Sequence, residues 1–579
     1  MYKKALKIRL ILVVACYLVF FGFILYRLLT VQVLKNENFV RLADAQHYLT
    51  LTLAPQRGQI FDRNEKVLAM SLNVFSVYAV PYEITEKTAF AAALAPLLRM
   101  PAELIQKRIS TGKKFVWLKR RIAEEDAAHL QKLRLPGIGF RRESKRYYPD
   151  GKLAAHVIGY AGIDDQGLDG AELAFDRYLK GRPGKRSLLR DAKQRILPAF
   201  EQEYVPAVDG LHVVLTLDEV IQHIVEEELE NYFQKNRALA AWVVVMNPHN
   251  GEIYALANWP AHDLNDIGAA AAADRRNKAV CDLFEPGSTF KIVTACAALE
   301  ERKFGLDDVI FCENGEYRIA RHTLHDHKPY GNLTFVGVIE HSSNIGMVKI
   351  AQKLGNQVVY DYAKKFGFGE LTGIDLPGES RGIFSHPSKW SKLSIGAIPI
   401  GHEVAVTSLQ MVRAMAVIAN GGYLVRPHVV MKIINGQRQD IETADFQRQR
   451  TPALSAQTAQ TMRNILQGVV DRGTGKKAAI PGYTVAGKTG TAQKLLPGGG
   501  YSHSNFIASF IGFAPADMPR LVAAVVVDDP KPLYYGGLVA APLFKNIAER
   551  TLKYLNVPQQ MLPAKDAATE SELLERIVE

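Results

Sequence analysis

The most extended apolar segment of the chain lies near its N-terminus. Leu10–Tyr26 is an uncharged run of 17 residues, and apolar side chains continue past Arg27 to Leu34. A helix of about 17 to 25 apolar residues can cross a bilayer, and an arginine near its end can reach the headgroups. Four basic residues precede the run, namely Lys3, Lys4, Lys7 and Arg9. We therefore expect residues 1–9 to form a cytoplasmic tail, residues 10–34 a transmembrane anchor, and the remainder to be exported.

A cleaved leader is the alternative interpretation of this segment. Val13–Cys16 resembles a lipoprotein cleavage site, but cleavage there would leave the apolar Tyr17–Tyr26 at the new terminus. No small-residue cleavage site follows the apolar run, so an uncleaved anchor is favoured.

Past residue 210 the pattern changes to short apolar runs separated by amphipathic segments. Val213–Leu217 predicts a strand and Glu219–Asn236 an amphipathic helix. Trp242–Met246 and Ile253–Ala257 predict two strands of a hairpin, because Asn-Gly, the dipeptide most typical of a tight hairpin turn, stands between them.

Further strands are predicted late in the chain. They are Thr484–Ala486, Phe506–Phe513 and Leu521–Val527, and a helix over Leu538–Leu555 follows them. Because strands stand at both ends of residues 211–556 and the middle is helical, we predict an α+β domain. Its antiparallel sheet would form from distant segments, with helices packed on it and a helical lobe inserted.

Residues 36–210 predict a separate, non-catalytic domain. This stretch opens with the strand-turn pattern Pro55–Arg63, contains helical patterns at Lys87–Leu98 and Ala123–Leu133, and closes with the glycine- and charge-rich Gly167–Arg186. It holds many turns and charge pairs but no convincing nucleophile beside a base. At the other end of the chain, residues 557–579 are polar and acidic and predict a loose tail.

Composition narrows the possible classes of protein. With 579 residues, 48% hydrophobic and 22% charged, the chain is globular and long enough for two or three domains. A net charge of +12 would indicate nucleic acid as a partner of a cytosolic protein, but an exported chain does not meet nucleic acid. The basic stretch Lys107–Arg146 is interpreted as a solvated face, with anionic lipid or cell-wall polymer as the alternative.

The four cysteines do not form a disulfide framework. Cys16 lies in the predicted anchor and Cys296 on a predicted core helix, which leaves a bridge between Cys281 and Cys312 open. His402-Glu403 lacks the second histidine of a zinc-protease motif, so no metal site and no cofactor are expected.

The candidate chemistry begins at Ser288 and Lys291. A serine and a lysine three residues apart at the start of a helix lie on one face, which places a base beside a nucleophile. The chain contains this spacing a second time, at Ser110 and Lys113, which we interpret as surface. What distinguishes Ser288 is the order of motifs that follow it. Ser342-Ser343-Asn344 comes 54 residues later, and Lys488-Thr489-Gly490-Thr491 comes 146 residues after Ser342. These three motifs in this order mark class A β-lactamases and penicillin-binding proteins.

Each motif has a chemical reason. Lys291 acts as a base only when neutral, so its pKa must fall well below about 10.4, and we expect burial and nearby Lys488 to lower it. Ser342 is expected to relay a proton to the leaving amine, and Asn344 to orient a substrate peptide group.

The second half of the site is expected on or just after the strand Thr484–Ala486. There the ammonium of Lys488 and the hydroxyls of Thr489 and Thr491 suit a terminal carboxylate. Gly490 would leave room for a strand-like substrate. The backbone N–H groups of Ser288 and Thr491 are the candidates for an oxyanion hole.

Beyond these motifs, the chain resembles the class B penicillin-binding proteins along nearly all of its length. Besides the anchor, the matching segments are Arg57–Arg63, Arg146–Pro149, Gly167–Glu172 and Phe284–Ser288, and Tyr534–Gly537 is most like the division-specific FtsI branch. The resemblance implies a penicillin-binding transpeptidase domain of the α/β sandwich type, with a five-stranded antiparallel sheet, preceded by a pedestal (dimerisation-like) domain. One departure is the segment Gly401–Thr407, where the family often has Gly-x-Gly before Val-Thr.

The same resemblance implies a function. Ser288 would be acylated by the D-Ala-D-Ala end of a peptidoglycan stem peptide, and an amine of a neighbouring stem would accept the acyl group. It implies septal cell-wall synthesis at the cytoplasmic membrane, inhibition by β-lactams, and a lipid-linked precursor as the source of substrate. Implied partners are a SEDS-type glycosyltransferase and small bitopic division proteins.

Three other interpretations stay open at this point: an elongation-type transpeptidase, a β-lactamase-like hydrolase, and a β-lactam-binding sensor or scaffold without turnover. The sequence leaves the acceptor amine undecided between diaminopimelate and lysine.

Overall fold

The computed structural model describes residues 2–190, 196–319, 322–443, 449–496 and 498–560. The chain divides into two compact units, one of residues 1–56 and 180–210, the other of residues 57–179 and 211–579. The domain boundaries predicted near residues 36 and 210 stay a prediction. The tail predicted from residue 557 lies, beyond residue 560, outside the described residues.

The first unit contains the apolar N-terminal helix. Tyr2–Leu29 is α-helical and Thr30–Leu34 continues it as a π-helical turn, so that the segment is long and apolar enough to cross a membrane. A second helix, Asn36–His47, leads into an antiparallel sheet of three strands, in the order Tyr48–Leu53, Gly184–Arg190 and Ile196–Val205.

The second unit begins with a mixed seven-stranded sheet. Six strands follow one another in the order Asp440–Thr443, Val430–Ile434, His212–Leu215, Ile60–Phe61, Val67–Ala79 and Val116–Ile122, and Ile138–Tyr147 also pairs with Val67–Ala79. Three helices, Lys87–Leu98, Ala102–Ile109 and Glu124–Lys132, supply apolar side chains to one core with the long strand.

A buried ionic cluster joins three segments of this unit. Glu172 accepts hydrogen bonds from Arg57 Nε at 2.7 Å and from Arg146 Nε at 2.5 Å, and Arg57 also contacts Asp176 at 2.6 Å. The side chains of Glu172 and both arginines are at most 2% exposed. Three segments that resemble the family, far apart in sequence, therefore meet at one carboxylate.

The centre of the second unit is a five-stranded antiparallel sheet, as expected. Its order is Ile253–Trp259, Ala240–Met246, Leu521–Asp528, Tyr501–Ala514 and Ala486–Leu495. The first two strands form the predicted hairpin, with Met246 opposite Ile253. The last strand, which we call the motif strand, pairs on one side with Tyr501–Ala514 and forms an edge of the sheet.

Both faces of this sheet are covered, which explains why the central strand Ala240–Met246 is apolar at every position. Along Ala240–Met246 the odd-numbered residues belong to one core with the helices Glu219–Lys235 and Gly536–Tyr554. The even-numbered residues face the opposite way, into the core that includes the helix Ser408–Ala419. The sheet is thus the middle layer between two helical layers.

The inserted helical lobe completes the described part of the unit. Its longer helices are Lys291–Glu300, Phe335–Glu340, Asn344–Leu354, Asn356–Lys365, Ser408–Ala419 and Ala456–Asp471. The short helices of the whole second unit are Ala155–Ile158, Gly170–Ala174, Asp176–Leu179, Lys278–Cys281 and Ser394–Ala397. The 3₁₀ turns are Pro81–Glu83, Leu264–Asp266, Gly287–Phe290, Glu313–Gly315, Pro387–Lys389, Ile398–Ile400 and Lys476–Ala478. Three small strand pairs are Val309–Phe311 with Asn332–Thr334, Glu316–Ile319 with His322–His325, and Tyr423–Leu424 with Thr451–Pro452.

Two expectations are corrected by the structure. The strand predicted over Thr484–Ala486 instead begins at Ala486 and continues to Leu495, so it runs through the motif. The bridge left open between Cys281 and Cys312 is not formed, because both are free thiols. The second serine-lysine pair, Ser110 and Lys113, is exposed as predicted.

Candidate active site

Ser288 lies in a 3₁₀ turn, Gly287–Phe290, that continues directly into the helix Lys291–Glu300. In a 3₁₀ turn residues three apart eclipse each other, which puts Ser288 and Lys291 on one face. Gly287 has φ +55°, and a Cβ there would come within 3.0 Å of the carbonyl oxygen of Thr491. The turn therefore lies against the motif strand because Gly287 has no side chain.

Lys291 is fully buried beneath Ser288. Its Nζ donates to the carbonyl oxygen of Ser342 at 2.6 Å, to Asn344 Oδ1 at 2.7 Å, and contacts Ser342 Oγ at 3.2 Å. Burial lowers the pKa of Lys291 from 10.5 to about 7, and the carboxylate of Asp326 opposes that fall. Near neutral pH a substantial fraction of this amine is therefore unprotonated.

The hydroxyl of Ser288 is not hydrogen-bonded to this amine. Within the described residues, the hydrogen bonds of Lys291 Nζ go to Ser342 and Asn344, and Ser288 is partly exposed. Catalytic hydrogen bonds often form only when substrate is bound, so this geometry is compatible with Lys291 acting on Ser288.

Ser342 connects two buried lysines. It stands between the helices Phe335–Glu340 and Asn344–Leu354 with φ +60°, a left-handed conformation that costs a non-glycine residue energy. Its Oγ lies 3.2 Å from Lys291 Nζ and 2.9 Å from Lys488 Nζ. One hydroxyl therefore receives contacts from both amines.

Lys488 is fully buried on the motif strand. Burial lowers its pKa well below 10.5, and the positive charge of Lys291 lowers it further. The sequence predicted that burial and nearby Lys488 would both lower the pKa of Lys291. In the structure burial lowers the pKa of Lys291, and the charge of Lys291 lowers the pKa of Lys488.

Asp326 is a residue that the motif search missed. It follows the strand His322–His325, and its carboxylate accepts from Ser343 Oγ at 2.6 Å and from the backbone N–H of Asn344 and Ile345. It thereby caps the helix that begins at Asn344. Nothing in the local sequence marks this role, because the contact joins a loop to a motif 17 residues away.

The rest of the motif strand has polar groups along the cleft. Thr489 Oγ1 lies 2.9 Å from Thr474 Oγ1, and Thr491 Oγ1 accepts from the Gly536 N–H at 3.0 Å. A Cβ at Gly490 would meet Ser509 Oγ at 2.4 Å. The same Cβ would lie 2.8 Å from the carbonyl oxygen of Pro286, directly before the turn that carries Ser288. Gly490 thus makes room for neighbouring protein, which differs from the predicted room for substrate.

The departure noted at Gly401 has a local explanation. A Cβ at Gly401 would lie 2.1 Å from the Gly287 carbonyl oxygen, so this glycine is required for packing. Glu403 occupies the position of the second family glycine and keeps a positive φ of +56°. Its N–H donates to Glu285 and its carboxylate accepts from Ser394 Oγ at 2.6 Å, contacts that hold this backbone conformation.

A cleft of about 600 Å³ runs past Ser288. Of the predicted residues, Ser288, Ser342, Asn344, Thr489 and Thr491 line it. The remaining lining residues are His327, Lys328, Tyr330, His341, Arg472, Gly473, Thr474, Lys476, Lys477, Tyr535, Gly537 and Leu538. Among the described residues that line the cleft there is no Asp or Glu. No group of three or more His, Cys, Asp or Glu is placed to hold a metal ion anywhere in the described chain.

Two protein-family models match the chain. Residues 241–549 match the penicillin binding protein transpeptidase domain, and residues 52–215 match the penicillin-binding protein dimerisation domain. The chain is 37% identical to stage V sporulation protein D of Bacillus subtilis, over 93% of this chain and 85% of that protein. It is 33% identical to the peptidoglycan D,D-transpeptidase FtsI of Escherichia coli, over 96% of this chain and 94% of that protein.

Solved structures give the same comparison. Penicillin binding protein 3 of Mycobacterium tuberculosis, complexed with ampicillin, has a TM-score of 0.70 and 32% identity, over 89% of this chain and 98% of that structure. A peptidoglycan synthetase from Bifidobacterium adolescentis has a TM-score of 0.72 and 27% identity, over 90% and 99% of the two chains.

Proposed function

Since this chain belongs to the class B penicillin-binding proteins and is a peptidoglycan D,D-transpeptidase, we propose that Ser288 carries the acyl group and that the enzyme works at the division septum. The observation that carries the assignment of Ser288 is the pair of buried amines beneath it. Both contact the hydroxyl of Ser342, and the pKa of Lys291 lies close to neutral pH.

The acylation step follows from this geometry. Neutral Lys291 takes the proton of Ser288 as Oγ attacks the carbonyl carbon of the penultimate D-Ala. The C–N bond to the last D-Ala then breaks, and the proton needed by its departing amine passes through Ser342. In the second half, the amine of a neighbouring stem attacks the ester carbonyl and the C–O bond to Ser288 breaks. The proton lost by the amine goes to Ser288 Oγ as the new peptide bond forms.

Substrate placement is assigned to the motif strand and its surroundings. That strand forms an edge of the sheet, which suits an extended peptide added as a further strand. The terminal carboxylate of the donor goes to Lys488, Thr489 and Thr491, and Asn344 orients its peptide group. We place the oxyanion hole at the N–H groups of Ser288 and Thr491, where one such donor contributes about 100- to 1000-fold in rate.

Acyl transfer is favoured over hydrolysis by the lining of the cleft. A β-lactamase-like enzyme needs a base to activate water, and the described lining residues include no carboxylate. We therefore propose that the acyl-enzyme reacts with an amine and is hydrolysed slowly.

The septal role rests on family likeness. The relatives include the peptidoglycan D,D-transpeptidase FtsI of E. coli and a stage V sporulation protein of B. subtilis, so their names do not share one cellular role. We propose division, a lipid-linked precursor as substrate source, and a SEDS-type glycosyltransferase with small bitopic proteins as partners. The basic residues before the apolar helix support a single-pass orientation with the catalytic unit outside the cytoplasm.

Mass spectrometry of the full chain after penicillin treatment tests the chemistry. One adduct is expected on the peptide that holds Ser288, and none in Ser288→Ala. An adduct on another residue would overturn the assignment, and release of hydrolysed penicillin within minutes would identify a hydrolase. For the septal role, Ser288→Ala should fail to restore division in cells depleted of the protein; restored division would refute it.

A further inference from the structure

The lining of the cleft carries more positive charge than the proposed chemistry uses. Lys328, Arg472, Lys476 and Lys477 all line it and all are exposed. Arg472 is paired with Glu340. For the three lysines, no ion pair or side-chain hydrogen bond is formed with another described residue.

The loop that carries Lys476 and Lys477 is held against the motif strand. Thr474 Oγ1 contacts Thr489 Oγ1 at 2.9 Å, and the Thr474 N–H donates to the Glu340 carbonyl at 3.2 Å. The Gly475 N–H donates to Val469 at 2.9 Å, and the 3₁₀ turn Lys476–Ala478 follows at once. The backbone that carries both lysines is therefore held beside the motif strand.

Neither step of the proposed reaction involves these lysines. Lys291 handles the proton of Ser288, and Lys488 with the two threonines takes the terminal carboxylate. Like charges gathered along one cleft repel each other, and an anionic ligand removes that repulsion. The ligand already placed in this cleft is a peptide donor.

We propose that Lys328, Lys476 and Lys477 form a subsite for a second carboxylate of the donor peptide, located upstream of the scissile bond. The proposal rests on the proposed function, because it takes the donor to lie along the motif strand. The subsite would distinguish donors that carry a free internal carboxylate from donors in which that group is a primary amide.

The test compares two donor peptides ending in D-Ala-D-Ala that differ only in an internal carboxylate or its amide. Release of D-Ala by the full chain in detergent gives kcat/KM for each donor. We expect wild type to prefer the carboxylate donor by about three- to tenfold, and added salt to reduce that preference. Lys476→Gln/Lys477→Gln should bring the preference close to one, and Lys476→Glu/Lys477→Glu should invert it.

Lys113→Gln/Lys114→Gln is the matched control, since this adjacent pair is also exposed and lies in another part of the chain. It should keep the wild-type preference. Equal kcat/KM for both donors in wild type, or an equal loss on both donors in the 476/477 variant, overturns the proposal. Lys328→Gln gives an independent variant should the double change unfold the loop.

Failure of the proposed function gives a different result. In that case neither donor releases D-Ala and penicillin leaves no adduct on Ser288. An intact Ser288 adduct with no discrimination between the donors overturns the subsite alone.

Discussion

Replacing Lys291 by methionine should stabilise the protein at low pH and destabilise it at high pH. The pKa of Lys291 is 10.5 in an exposed chain and falls to about 7 in the fold because the amine is buried. Between these values the unfolded chain binds a proton that the folded chain does not. Folding stability therefore decreases as pH falls from about 10.5 to about 7, and the cost is constant below that window.

The size of the effect follows from the same numbers. A tenfold change in a proton equilibrium is about 1.4 kcal/mol, so the full cost at pH 6 is about 5 kcal/mol. Methionine removes this cost but leaves the carbonyl of Ser342 and Oδ1 of Asn344 without their donor. That loss amounts to about 3 kcal/mol in total. We expect a gain of about 2 kcal/mol at pH 6 and a loss of about 3 kcal/mol at pH 10.5.

Urea unfolding of the full chain in detergent, followed by tryptophan fluorescence, measures this difference at both pH values. Labelling by a fluorescent penicillin should be lost in the variant at either pH. Lys113→Met, at an exposed lysine, should leave stability within about 0.5 kcal/mol at both. A Lys291→Met effect of the same sign and size at pH 6 and pH 10.5 would refute the idea that burial lowers the pKa of this amine.

Three further predictions follow from contacts around the site and the pedestal. The rate of penicillin labelling should rise with pH through about 7 as Lys291 loses its proton. Asp326→Asn should move that midpoint to lower pH, because the carboxylate raises the pKa of Lys291; an unmoved midpoint contradicts this. Glu172→Gln leaves buried Arg146 without its acidic partner and Arg57 with Asp176 alone. It should cost about 3 to 5 kcal/mol in urea unfolding, whereas a loss under 1 kcal/mol would show that the cluster is solvated. Ser342→Gly keeps a residue suited to φ +60° but removes the hydroxyl. Its melting temperature should stay close to wild type while labelling slows markedly, and unchanged labelling would exclude a role for this hydroxyl.

The fold was predictable where the local pattern agreed with tertiary packing. The hairpin of Trp242–Met246 and Ile253–Ala257 combines apolar strands with a turn dipeptide, so the strand pattern and the turn residues both predict a hairpin. The motif strand does not, because Gly487, Lys488 and Gly490 are residues that interrupt strands locally. The fold accommodates them because the turn Gly287–Phe290 packs on this strand. Lys488 is buried in the strand.

The site shows the same division between linear motifs and contacts in space. Ser288, Ser342 and Lys488 could be proposed from the sequence because each belongs to a short motif and the three occur in order; their catalytic roles stay a prediction. Asp326, Lys476 and Lys477 come from loops that the fold brings near the cleft, and no spacing in the chain connects them to Ser288.

The burial of the helix that carries Lys291 is linked to the pKa of this amine. The low pKa of Lys291 requires the absence of water, and the surrounding helix Lys291–Glu300 is buried from Lys291 to Ala298. A looser lobe would hydrate the amine, return its pKa toward 10.5 and leave it protonated at neutral pH. The apolar core here therefore acts on the proposed chemistry as well as on stability, because its packing sets the protonation state of Lys291, the proposed base. Replacing a large buried side chain next to Lys291 by a smaller one should therefore slow acylation at neutral pH. Raising the pH should restore the rate.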